Sequence, residues 1–261
     1  MAARLLNALP AAILVALAAT APASADTKAG ASYVVNLGGN IIATASFKLN
    51  NSAQTYDLTL DANVSGLASL VAAGVLKAHS SGTVGATALD ANAFDLITHT
   101  GGQDFKVQVQ YTGGDVTAFV VNPPIVNTIN RVPIERKQLS DVNDMLAAFI
   151  RRGPGLDRSI CDFDAHIFTG TERFDLDFQY AKNDTATSTR TGYQGPVVLC
   201  RVAYKPISGH YTNSELTNSL AQDDRILIWY APLHDTGYFI PYRVLLTTSM
   251  GDLSMVLTAL D

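Results

Sequence analysis

Alternation of apolar and polar side chains runs through most of this chain, and a period of two marks half-buried β-strands. Ala31 to Leu37 reads as a first strand, Gly38-Gly39-Asn40 as a tight turn, and Ile41 to Leu49 as the returning partner. Asn50-Asn51-Ser52 turns again into Gln54 to Val64, where Tyr56, Leu58, Leu60 and Ala62 alternate with polar neighbours. Strand signals resume from Thr83 to Thr98 and again at Phe105, Val107, Val109 and Tyr111. A Thr112-Gly113-Gly114-Asp115 turn leads into Val116 to Val121, and Asn122-Pro123-Pro124 ends the run because proline cannot continue a ladder. Residues 122–139 lack periodicity and predict a crossing loop.

The clearest hairpin begins at Cys161. Cys161, Phe163, Ala165 and Ile167 alternate with Asp162, Asp164 and His166. After Thr169-Gly170-Thr171, Phe174, Leu176, Phe178 and Tyr180 alternate with Arg173, Asp175, Asp177 and Gln179. Lys182 to Arg190 is polar and reads as a loop. Val198, Cys200, Val202 and Tyr204 share one face of the next strand, and Ser208 to Asp224 reads as a loop with a short helical turn. Arg225 to Ala231, Tyr238 to Thr248 and Leu253 to Leu260 are the closing strands.

Two stretches carry a helical period instead. In Ser65 to Lys77, Leu67, Leu70, Val71 and Val75 recur at helical spacing, with Gly66 and Gly74 against it. Ser140 to Arg152 places Val142, Met145, Leu146, Phe149 and Ile150 on one stripe behind an N-cap serine. Arg151 and Arg152 suit the C-terminal dipole, and Gly153-Pro154 stops the helix. The fold class predicted is therefore mainly β: a large curved antiparallel sheet, half-barrel or β-spiral, wrapped around one or two α-helices. A large sheet must curl or close to protect its edges, and helices are suited to its concave side.

The N-terminus adds a compartment. Arg4 precedes an apolar run from Leu5 to Thr20, and Ala23-Ser24-Ala25 matches a small-x-small cleavage site. Residues 1–25 thus read as a signal peptide, leaving residues 26–261 as one β-rich domain in the periplasm. Its loss leaves 17 basic against 23 acidic side chains, a net charge near −6. No basic face is available for nucleic acid. No later apolar segment is long enough to span a bilayer as a helix. A transmembrane barrel is disfavoured by the helices and by the Leu260-Asp261 end, where an aromatic residue is expected. Cys161 and Cys200 are the only cysteines, both on apolar stripes, and an oxidising compartment favours a disulfide between them.

Catalytic signatures are sparse. G-x-S-x-G, Walker, H-E-x-x-H and C-x-x-C motifs are all missing. Asp162, Asp164, His166, Asp175 and Asp177 form the one ionisable cluster, and its reading depends on register. A two-residue Gly170-Thr171 turn sets Asp164 against Asp177 and His166 against Asp175. Opposed carboxylates then need a cation or a shared proton. A longer turn removes the problem, and a solvated polar face is the plainer reading. No cofactor is expected; Asp164, His166, Asp175 and Asp177 are weak metal candidates. Candidate lining residues of an apolar ligand cavity are Leu67, Leu70, Val71, Met145, Phe149 and Trp229, and core packing is the competing role for each.

The Gly38-Gly39 strand, the helix start at Ser140, the Gly170…Arg173-Phe174-Asp175 hairpin, the Cys200 strand and the Trp229…Pro241…Arg243…Gly251 strands resemble a family of exported proteobacterial proteins of unknown function, the 3108 type. The resemblance covers most of the mature chain and implies a periplasmic β-rich protein without an assigned activity. The architecture is also similar to the lipoprotein carrier and receptor of outer-membrane sorting and to envelope-integrity β-spiral proteins. Those wrap a curved sheet and helices around an apolar cavity. The expectation is a monomeric, non-enzymatic envelope protein binding an apolar, lipid-like ligand or an envelope partner. An envelope hydrolase or metal-dependent enzyme using Asp162, Asp164, His166 and Asp175 is the first alternative. A purely structural protein is the second.

Overall fold

The computed structural model describes residues 27–52, 54–64, 73–222, 225–248 and 251–261. The predicted signal segment lies outside them, as do Leu67, Leu70 and Val71. Seven strands form the first meander: β1 (Thr27–Leu37), β2 (Asn40–Asn51), β3 (Thr55–Val64), β4 (Gly74–Val84), β5 (Leu89–Thr100), β6 (Gln103–Thr112) and β7 (Asp115–Asn122). A long crossing segment, containing the two-residue β8 (Arg151–Arg152), then leads to a second meander. That meander holds β9 (Phe163–Phe168), β10 (Arg173–Ala186), β11 (Gly195–Ser208), β12 (Ile226–Pro232), β13 (Tyr238–Thr248) and β14 (Gly251–Leu260). The α-helix found among the described residues is α1 (Glu215–Gln222), between β11 and β12.

All of these pairings are antiparallel. They build one sheet in the order β7-β6-β5-β4-β3-β2-β1-β14-β13-β12-β11-β10-β9, with β8 added against β13. Apart from β8, neighbours in sequence are neighbours in space within each meander, and the pairing of β1 with β14 fuses the two meanders. Each strand buries one side of its pleat. In β6, Val107, Val109 and Tyr111 are buried while Lys106, Gln108 and Gln110 face out. Each such buried side chain contributes roughly 1.5–3 kcal/mol of apolar transfer.

The sheet curls until its two ends approach each other. Phe119 of β7 stacks edge-on against Phe168 of β9 at 5.2 Å, and the Tyr111 hydroxyl donates to the Phe168 carbonyl at 2.9 Å. Gly170, first residue of the two-residue β9–β10 turn, has a φ of +88°. A Cβ there would come within 2.1 Å of Val107 on β6, so turn and close approach both require glycine. The edge strands do not pair with each other. The crossing segment fills the seam between them.

There the structure corrects the helix predicted over Ser140–Arg152. The chain makes short 3-10 turns at Arg136–Leu139 and Ala147–Phe149, then the extended β8. Three side chains explain the difference. Asp141 adopts a left-handed φ of +54°, and Asn143 and Asp144 spend their side-chain oxygens on nearby amides. Such bonds compete with helix propagation. Unfilled strand edges supply the rest: the Asn143 amide donates to the His166 carbonyl at 2.8 Å, and its carbonyl accepts from Phe168 at 3.0 Å. On the other side, the Asn143 carboxamide donates to the Leu89 carbonyl at 2.7 Å and accepts from the Ala91 amide at 3.2 Å. One asparagine therefore joins β9 to β5 across the seam.

Two smaller predictions also change. Gly74 to Lys77, assigned to the first helix, open β4, because β3 and β5 offer ladder partners on both sides. Lys182 to Ala186, assigned to a loop, extend β10 against Leu199 to Gly195.

Candidate functional site

Beneath residues 145–150 the curved sheet leaves an open cleft of about 400 Å³. Its lining is apolar throughout, interrupted only by the phenols of Tyr33 and Tyr204. Met145, Leu146, Phe149 and Ile150 roof it; Leu176, Val202, Ile228 and Val244 come from inward positions of the second meander; Leu220 reaches in from α1. Many of these side chains, including Phe174, Leu220, Val244, Leu246 and Met255, are only half-buried although they face one another. A filled core would bury them fully.

Met145 and Phe149 line this cleft, on a turn-rich segment and not a helix. Trp229 does not. Its neighbours Ile228 and Tyr230 point inward, so parity sends Trp229 to the other face, where its indole donates to Asp184 at 3.1 Å. That bond, the largest influence on Asp184, holds its carboxyl below the usual range. Arg243 lies 5.5 Å above the indole ring.

Behind the roof sits a polar group that the apolar pattern did not announce. Asp144 is fully buried. Its carboxylate accepts from the Ser80 hydroxyl at 2.5 Å and from the amides of Leu146 and Ala147 at 2.6 and 2.9 Å. Ser80 in turn meets the Tyr56 hydroxyl at 2.9 Å. Burial pushes the Asp144 carboxyl up to about 6, against the opposing pull of these three donors. The folded protein then holds this proton more tightly than the unfolded chain does. The resulting stabilisation is complete below about pH 4 and is lost as the pH rises through about 6, a change of about 3 kcal/mol. Urea unfolding at pH 4.5 and 7.5 checks this. Asp144→Asn should remove that part of the pH dependence, and parallel profiles for variant and wild type would refute it. The signal was present as Asp141-Val142-Asn143-Asp144, three turn-forming side chains in four residues.

The Asp/His cluster adopts the tight register. His166 opposes Asp175 and Asp164 opposes Asp177. The cation that this arrangement needs comes from the protein's own side chains. Lys205 on β11 pairs with Asp177, and Arg173 pairs with Asp175. His166 meets Asp175 at 2.6 Å. Partial burial pushes Asp175 up, but the hydrogen bonds from His166 and Arg173 outweigh it and hold the carboxyl below its ordinary range. Asp162 and Asp164 are exposed. Among the described residues, no three His, Cys, Asp or Glu side chains converge as a metal-ligand set.

Cys161 and Cys200 are disulfide-bonded and fully buried. Cys161 closes the 3-10 turn Arg158–Cys161, so the bond anchors the end of the crossing segment to β11. No helix among the described residues is long and apolar enough to cross a membrane.

No functionally curated protein matches this sequence. Among solved structures, the chain is similar to the crystal structure of a β-barrel-like protein of a domain of unknown function, DUF1849, from Brucella abortus. The match has a TM-score of 0.51 at 12% identity and covers 90% of this chain and 97% of that one, a likeness of fold. The curled sheet, the buried disulfide and the apolar cleft occur together in a chain that, by a match over residues 32–258, belongs to the protein family of unknown function DUF3108.

Proposed function

We propose that this protein is an exported, non-enzymatic envelope protein that holds an apolar, lipid-like ligand in the cleft beneath residues 145–150. One observation carries the reading: a cleft of about 400 Å³ with an apolar lining whose facing side chains stay half-buried. Burying ten methylenes there would contribute roughly 8 kcal/mol before the costs of association. The N-terminal export pattern and the disulfide suit an oxidising periplasm. Roofing by a turn-rich segment suits a site that must open for an acyl chain.

The test is recovery. Protein purified from the periplasm without detergent should carry a lipid-sized mass adduct in native mass spectrometry, extractable into organic solvent. Met255→Trp, which fills the half-buried mouth, should lower the adduct fraction at least about tenfold while leaving the disulfide and fold intact. Protein that comes without adduct and takes up no lipid on incubation contradicts the proposal.

A further inference from the structure

The crossing segment lines a second cleft that shares no residue with the apolar one. It encloses about 550 Å³ at the seam, between the start of β5, the β6–β7 turn and β9. Arg151 lines it and is only 7% exposed. Its guanidinium lies 3.7 Å above the Phe163 ring and forms no salt bridge to a carboxylate among the described residues; its electrostatic neighbour is Tyr230, whose buried hydroxyl also lacks a hydrogen-bond partner. The Arg151 Nε is buried without a partner. A guanidinium held out of water in this way is costly unless an anion completes it.

The remaining charges limit what that anion can be. Asp90, Asp141 and Asp164 also line the cleft and are exposed, while His166 is occupied by Asp175. A simple anion would meet three rim carboxylates on its way to Arg151. A simple cation would satisfy the rim and leave the guanidinium unpaired. A molecule with both charges satisfies each end.

We propose that this seam cleft binds a small zwitterion, its phosphate or carboxylate on the Arg151 guanidinium and its ammonium group toward Asp90 and Asp164. Arg151 is suited to the anionic end because its planar fork presents two parallel donors. The same pair of charges occurs in a free amino-phosphate or amino acid and in the headgroup of an aminophospholipid. The proposal is independent of the apolar cleft, and either can fail without the other.

Thermal unfolding of the full mature chain provides the test, with phosphoethanolamine, glycine and short-chain phosphatidylethanolamine as zwitterions, and inorganic phosphate and ethanolamine as single-charge controls. A zwitterion at a hundredfold excess over its Kd should raise the melting temperature by about 5 °C or more. Free solutes acting alone identify a soluble ligand; the lipid acting alone identifies a headgroup. Arg151→Met, which retains contact with Phe163, should abolish the shift while the variant still takes up an apolar probe in the other cleft. The exposed pair Asp90→Asn with Asp164→Asn should reverse the preference toward plain phosphate, which keeps the proposal testable if Arg151→Met does not fold. No shift with any zwitterion, an equal shift with phosphate alone, or an undiminished shift in Arg151→Met would each overturn it.

Discussion

Replacing both cysteines, Cys161→Ala with Cys200→Ala, should lower the unfolding free energy by about 4 kcal/mol. The sulfurs are separated by 39 positions in sequence, so the bond removes a large loop from the unfolded ensemble. For a domain of this size that corresponds to a melting temperature lower by roughly 8–16 °C. The location matters as much as the entropy. Cys161 ends the crossing segment, and Cys200 lies at the middle of β11, next to Tyr180 and Ile228 on the flanking strands. The bond fixes where the segment that roofs the apolar cleft must finish. Urea titration with and without reductant measures the loss, and an unchanged midpoint would remove the disulfide from any bracing role.

Asn143→Ala should cost about 4 kcal/mol, close to the disulfide, although only one carboxamide is lost. That group satisfies the Leu89 carbonyl and the Ala91 amide on β5, beyond the point where β6 pairs with it. Without it, two strand groups at a half-buried seam lack partners, at about 2 kcal/mol each. Hydrogen exchange should show the Ala91 amide losing protection ahead of the β1–β14 join. The roof over the apolar cleft would also loosen, so a bound ligand should leave faster. A variant within about 1 kcal/mol of wild type would mean that the seam is held by apolar packing alone.

Much of this architecture is legible in the chain because the sheet is built from local hairpins. The alternation in Gln103–Thr112 specifies its strand from within a few residues, and the structure reproduces it. The sequence leaves the β9–β10 register open between a two-residue and a longer turn, and the structure has the two-residue form. What was hidden depends on residues far away in sequence. Ser140–Arg152 carries a sound helical stripe, yet open edges on β5 and β9, unknowable from that stretch, take its backbone instead. Lys182–Thr185 is polar because both faces of that stretch of strand are largely exposed, and β11 still pairs with it. Trp229 followed aromatic character, while strand parity placed Ile228 in the cleft. Arg151 suits the C-terminal dipole of a helix, and nothing in the apolar pattern marks Asp144. Their burial follows from the crossing segment passing inside the sheet.

Titration of lipid-stripped mature protein with the environment-sensitive fluorophore 1-N-phenylnaphthylamine bears most directly on the apolar cleft. Wild-type protein should bind about one molecule, competed by a long-chain fatty acid, with Kd raised at least about tenfold in Met255→Trp and unchanged in Arg151→Met. Equal binding by wild type and Met255→Trp, or no saturable binding by either, would contradict a ligand site beneath residues 145–150.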